Sequence, residues 1–202
     1  MKKSFISILI GQLILNVSLL SAQTNADTLL KKIQSRLDGI NDLSMEFKQS
    51  SGGKVTLKGK VFFKKEDKLR FELDNSLIIS DGAISWNYSR VKNEVIIVEN
   101  DASSNYLSIR KIVYDYPEMC KLSSEIDEGN DILVLTPEES DLSFNSAKLF
   151  INKDSLIFRA VIDDPAAGLI QLEFSNHKTN SNLPDSDFLF TPPEGSKVID
   201  LR

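Results

Sequence analysis

The chain has 202 residues, with 24 basic and 29 acidic side chains, a formal charge of −5, one cysteine and one histidine. An acidic chain without a long basic run is a poor match for nucleic acid or for anionic headgroup surfaces, and a lone cysteine excludes an internal disulfide. The length suffices for one domain whose stability comes from burial alone.

Residues 1–22 read as a secretory signal. Lys2 and Lys3 precede an apolar run from Phe5 to Leu20, and Ser21-Ala22 supplies small residues before Gln23. The run is too short, and too interrupted by Ser7, Gln12, Asn16 and Ser18, to span a membrane comfortably. Cleavage after Ala22 is expected to leave residues 23–202 as a single exported domain. Two basic and no acidic residues depart with the signal, so the formal charge moves from −5 to −7. No cysteine sits at the cleavage site, so a soluble, unanchored, monomeric periplasmic protein is the expectation.

After the signal, Leu29, Leu30, Ile33, Leu37 and Ile40 fall at helical spacing, with Asn25 or Asp27 able to cap the start and Gly39 the end. Leu43, Met45 and Phe47 then share one strand face, and Gly52-Gly53 turns the chain back into a strand over 55–65. Strands are predicted at 68–74, 76–80, 83–89 and 93–99. From Ala102 to Tyr116 the apolar rhythm becomes helical before Pro117, which predicts a short central helix. Strands resume at 119–126, 131–136, 144–152, 155–163 and 167–176, and a last one is predicted at Phe188 to Phe190. A mostly antiparallel sheet of about ten strands must curl to hide its apolar face. The expected architecture is mainly β with a few helices: an unclosed antiparallel half-barrel with helices over its mouth.

Catalytic signatures are missing. No metal, nucleotide, dinucleotide or nucleophile motif occurs, so no catalytic residue, metal or cofactor is expected. His177 has no partner at ligand spacing and reads as a surface histidine. Asp127, Glu128 and Asp131 miss the alternation of a calcium loop, and Glu138, Glu139 and Asp141 read as a solvated turn. Cys120 reads as a buried or half-buried, inert thiol.

The informative stretch is Gly59 to Tyr88. Leu57, Val61 and Phe63 share a face, Leu69, Phe71 and Leu73 repeat it, and Ile84, Trp86 and Tyr88 alternate with Ser85 and Asn87. Packed core and open cavity both fit this aromatic pattern. Lys65 has the parity of Val61 and Phe63, so it either points inward at the barrel rim or lies beyond the strand end in water. A wide apolar sheet with an inward cation suits a carrier of lipid better than a catalyst.

The segments Gly59-x-Val61-Phe62-Phe63-Lys64-Lys65, Lys68-Leu69-Arg70-Phe71-Glu72 and Ser80-Asp81-Gly82 with Trp86 and Tyr88 resemble the LolA family of periplasmic outer-membrane lipoprotein carriers. Leu133-Val134-Leu135-Thr136-Pro137 and Phe188-x-Phe190-Thr191-Pro192-Pro193-x-Gly195 continue the resemblance in family order across the exported chain. It implies an unclosed barrel, a helical lid and an acyl-chain cavity lined by Phe47, Val61, Phe63, Phe71, Ile78 and Trp86. It also implies a carrier that takes lipoproteins from an inner-membrane ABC transporter to an outer-membrane acceptor. The family places an arginine and then a proline after the Phe62-Phe63 position, where this chain has Lys65 and Glu66. That arginine bonds the lid in the family, so the resemblance implies lid coupling by Lys65, assisted by Arg70, through a point charge in place of a planar fork. Three other readings remain: a lipid-binding or envelope-stress-sensing protein of the same fold with a different acylated ligand, an enzyme acting on lipids or glycans, or a protein whose aromatic face meets a partner.

Overall fold

Period-two alternation of apolar and polar residues from Asp42 onward builds twelve strands among the described residues. They are β1 (Asp42–Ser51), β2 (Lys54–Lys64), β3 (Lys68–Leu73), β4 (Ser76–Ser80), β5 (Ile84–Ser89), β6 (Glu94–Glu99), β7 (Cys120–Asp127), β8 (Asn130–Pro137), β9 (Ser146–Ile151), β10 (Ile157–Asp164), β11 (Gly168–Thr179) and β12 (Lys197–Asp200). A computed structural model describes residues 25–99, 111–139 and 142–202. The signal expected over residues 1–22 and the part of the central helix before Lys111 lie outside the described residues.

All twelve strands form one curved, unclosed sheet in the order β12-β6-β5-β4-β3-β2-β1-β11-β10-β9-β8-β7. Each pair is antiparallel except β12, which runs parallel to β6. The β1–β11 pair joins the two halves, with Phe47 opposite Phe174. Among the described residues two helices accompany the sheet: α1 covers residues 25–38, and α2 is a π turn (Lys111–Asp115) running into a short α turn (Tyr116–Glu118).

The pairing register sorts side chains onto two faces. On the inner face Leu172 meets Ala160, Ala160 meets Leu149, and Leu149 meets Leu133. Ala26, Leu29 and Ile33 of α1 and Val113 of α2 pack on this row. The same face continues past β1 through Met45, Val61, Phe71 and Ile78. There Phe47, Val61, Leu69 and Phe71 bury one another, the Phe47 and Phe71 rings meeting edge to face at 5.1 Å. Each such burial contributes about 1.5–3 kcal/mol.

The C-terminal segment covers the outer face. Beyond β11 the buried Asp42 carboxylate accepts the backbone N–H groups of Ser181 (2.7 Å) and Asn182 (3.0 Å). Lys64 donates to the Leu183 carbonyl, and Lys64 and Lys68 both pair with Asp185. The strand expected at Phe188 to Phe190 is instead a 3-10 turn (Asp185–Phe188) followed by extended chain. Phe188 is fully buried, and the Leu189 N–H bonds back to the Ser186 carbonyl (3.3 Å) and not to a neighbouring strand. β12 then follows and completes the sheet edge.

Gly59 allows the tight coil of β3 against β2. A methyl group at this position would lie 2.1 Å from the Glu72 carbonyl oxygen, which is backbone and cannot swing aside. Gly59→Ala is therefore expected to cost about 1–3 kcal/mol. Urea unfolding checks it: a lower midpoint at unchanged slope is the expected result, and an unchanged midpoint would mean that β3 shifts freely.

Candidate functional site

The inner face is not filled evenly. Between the two helices and strands β1 and β8 to β11 lies an apolar cavity of about 330 Å³, with Leu43, Met45 and Gln49 of β1 in its wall. Ile33 and Leu37 of α1 and Ile112, Val113 and Tyr116 of α2 form its roof. Leu149, Ala160, Ile162, Ile170, Leu172 and Phe174 form its floor. Small residues make the room: Ala147 and Ala160 stand where bulkier side chains would reach the helices. Polar side chains occur mainly at its ends, with Asp164 and Ser143 at one and Ser155 and His177 at the other.

The roof is held by a short chain of hydrogen bonds. Gln34 donates to the Val113 carbonyl at 3.1 Å, and the Tyr114 hydroxyl donates to the Asp38 carboxylate. At the same residue, Lys65 donates its ammonium to the Asp38 carbonyl at 3.0 Å. That carbonyl is in the last turn, where the helix leaves acceptors unpaired and its dipole favours a cation. Asn180 and Arg36 pin the same end, Asn180 through Asn41 N–H (2.7 Å) and Arg36 through the Asp154 carbonyl (3.1 Å). One helix terminus thus gathers contacts from the residue after β2, from α2, from the turn between β9 and β10 and from the tail.

The register divides the residues expected to line a cavity. Phe47, Val61 and Phe71 come together, with Ile78 packed against them. Phe63 lies on the same face, opposite Leu43 and Leu69. This group adjoins the cavity through Met45 and Phe174, which touch both. Trp86 is separated from it. It pairs with Ile79, which pairs with Arg70, and that row is the outer face. Ser85 and Asn87 take the inner positions, because the Asp81 carboxylate accepts the N–H groups of Ala83 and Ile84 and sets the turn at Ser80–Ser85. Arg70 is displaced in the same way: it bonds Glu72 and the Asp187 carbonyl (3.1 Å) on the side away from the helices. β2 ends at Lys64, so Lys65 leaves the pleat and lies exposed; it does not point inward.

His177 differs from its sequence reading. It is half-buried, bonds the Ile157 carbonyl at 3.1 Å and lines one end of the cavity. Its orientation comes from the bulge opposite Ser44–Glu46, where Asn176 at φ 55° shifts the register by one residue, and no sequence signal marks that bulge. Cys120 is buried in the helix-covered cluster, where burial, and then the nearby Glu138 carboxylate, push its thiol up to about 11. Among the described residues no group of three His, Cys, Asp or Glu side chains converges as a metal site, and no helix is long and apolar enough to cross a membrane.

Comparison with known proteins gives a concordant picture. The family model described as outer membrane lipoprotein carrier protein LolA matches residues 38–191. The chain is 27% identical over 187 residues to the outer-membrane lipoprotein carrier protein of Salmonella paratyphi A, covering 86% of this chain and 88% of that protein. It is 25% identical over 186 residues to an uncharacterised protein of Methanocaldococcus jannaschii, covering 88% of this chain but only 54% of that protein. In fold it is similar to an uncharacterised conserved protein from Thermus thermophilus, with a TM-score of 0.61, 15% identity and coverage of 87% and 99% of the two chains.

Cys120 reports on the roof, since it packs in one cluster with Val113. Its thiol is expected to react slowly with a disulfide reagent at pH 8, because the thiolate is scarce and covered. Tyr114→Phe removes the hydroxyl that donates to the Asp38 carboxylate and, at 3.4 Å, to the Gln34 carbonyl, and is expected to speed that reaction roughly three- to tenfold. Equal rates in the two proteins would show that the Tyr114–Asp38 bond does not hold the roof down.

Proposed function

The chain belongs to the outer membrane lipoprotein carrier protein LolA family, and on that premise we propose that it is a soluble periplasmic carrier that shelters the acyl chains of lipoproteins between membranes. The observation that carries the reading is the apolar cavity, roofed by two helices that hydrogen bonds tie to each other. Its floor of Leu, Ile, Ala and Phe offers no charge along its length to a reacting group. Each methylene moved from water into such a space is stabilised by about 0.8 kcal/mol, so even one partly sheltered chain escapes slowly.

In this reading the export signal delivers the protein to the periplasm, where an inner-membrane ABC transporter loads it and an outer-membrane acceptor unloads it. Cargo must be released as well as held. The bonds that close the roof weaken retention, because loading has to break them and unloading restores them. Lys65 supplies one such bond at the α1 terminus. A cation at a helix C-terminus is worth about 0.3–1 kcal/mol, so the bond biases the roof without locking it. Phe47, Val61, Phe63, Phe71 and Ile78 then extend the apolar surface beyond the cavity when the roof lifts.

Native mass spectrometry of the domain purified from a periplasm tests the cargo. A triacylated lipoprotein or its lipid moiety is the expected adduct; a different acylated lipid would keep the carrier and change its cargo. Lys65→Leu is expected to retain acylated peptide roughly two- to fivefold more tightly and to pass it on more slowly. Unchanged retention and transfer would remove Lys65 from the mechanism.

A further inference from the structure

Besides Tyr116 of the roof, the polar side chains that interrupt the apolar lining of the cavity are Gln49, Ser143, Ser155, Asp164 and His177. Most are accounted for by a turn or by water. The Asp164 carboxylate accepts the backbone N–H groups of Ala166 (2.8 Å) and Ala167 (2.7 Å) and so sets the turn between β10 and β11. Ser143 is exposed and Gln49 is half-buried, so both reach water. Ser155 is different. It is only 9% exposed, and among the described residues its hydroxyl has no hydrogen-bond partner.

The turn between β9 and β10 does not explain this serine. Asn152 holds that turn: its side-chain oxygen accepts the N–H groups of Asp154 (2.9 Å) and Leu156 (3.0 Å), and its carbonyl accepts that of Ser155 (2.9 Å). Ser155 takes φ 61°, a left-handed conformation that glycine adopts without a Cβ clash. Backbone strain and a buried, unpaired hydroxyl both cost stability, and nothing in the turn offsets either. A polar group left in that state on a cavity wall points to a ligand.

His177 stands at the same end of the cavity. Its Nε2 bonds the carbonyl of Ile157, two residues beyond Ser155, at 3.1 Å. A carbonyl only accepts, so Nε2 carries the proton and the ring is fixed against the start of β10. From this end the floor runs over Leu172 and Ile170 to Asp164 with aliphatic side chains. The cavity therefore has a direction: an unpaired buried hydroxyl at one end and an apolar run leading away from it.

We propose that Ser155, with His177 beside it, is a polar anchor for the acyl carbonyl of a bound chain. The Ser155 hydroxyl donates to the carbonyl oxygen that links the chain to its head, and the chain runs from there over Leu172 and Ile170. This rests on the carrier reading and gives its ligand an orientation. Ester-linked and amide-linked chains share that oxygen, so the chemistry recognised is the acyl carbonyl and not one linkage. An alkyl chain without a carbonyl leaves the hydroxyl unpaired, and an acyl chain seated elsewhere in the cavity buries its own carbonyl unpaired.

Calorimetry with monododecanoylglycerol and monododecylglycerol tests this, because the ester and the ether differ only in the carbonyl. The ether is the more apolar, so a cavity without an anchor holds it at least as tightly. The protein is expected to bind the ester roughly three- to tenfold more tightly than the ether. Ser155→Ala is expected to remove that preference by weakening the ester and leaving the ether unchanged. Ser155→Gly suits the left-handed backbone and serves if the alanine variant does not fold. A dodecanoylated peptide separates the linkages: Ser155→Ala weakens it by a similar factor if amide-linked chains take the anchor, and leaves it unchanged if only ester-linked chains do. Substitutions of Ser155 that weaken neither carbonyl ligand, or that weaken the ether equally, overturn the anchor while leaving the carrier intact. No binding of these ligands or of a triacylated peptide removes both.

Discussion

The packing of α1 across β8 to β11 is the contact on which the rest depends. A sheet of twelve strands that does not close has an inner face that water cannot be allowed to reach, and the helix supplies the first cover. Ala26, Leu29 and Ile33 do this with one stripe, against Leu133, Leu149 and Leu172, which lie a hundred or more residues later. Where helix and sheet both carry large side chains the gap closes, and where the floor offers Ala147 and Ala160 it stays open. The cavity is thus a consequence of side-chain volume at a helix–sheet interface, a region that in most proteins is filled to crystal-like density.

Much of this was legible in the residues, and the reasons for the misses are physical. Alternation locates the strands, and helical spacing locates α1, because both periods repeat along several residues. Trp86 goes with the inner face in the sequence because the bulkiest alternating set is the natural candidate for burial. That rule fails when both faces are covered, as they are here by helices inside and the tail outside. Ile79 and Val95, at 1% and 0% exposed on the outer face, show how complete the second cover is. Parity alone could not decide Lys65 either, since a strand that ends one residue sooner releases its next side chain from the pleat.

The cavity lies farther along the chain than the aromatic pattern suggested. Phenylalanines at 47 and 71 are conspicuous in the sequence, yet they close on each other. The open space is bounded by alanines and ordinary aliphatic residues, which carry no visible signature. His177 was hidden for a related reason. Its orientation is produced by a bulge, and an extra residue in one strand cannot be seen until its partner strand is known. The lid contacts, by contrast, arise where local rules meet: an unpaired helix end, a nearby lysine and a tyrosine on the neighbouring helix.

The position of β1 beside β11 has a kinetic consequence. The two strands are the chain's first and eleventh, yet they form the seam at the centre of the sheet. Pairing over such a sequence distance closes a very long loop, so it belongs to the slow, high-contact-order class of folding steps. While the chain emerges from its N-terminus, β1 to β6 can assemble as a meander, but the outer edge of β1 stays unpaired until β11 arrives. That edge is the segment most exposed to misassembly in the nascent protein, and the last long strand completed is the one that protects it.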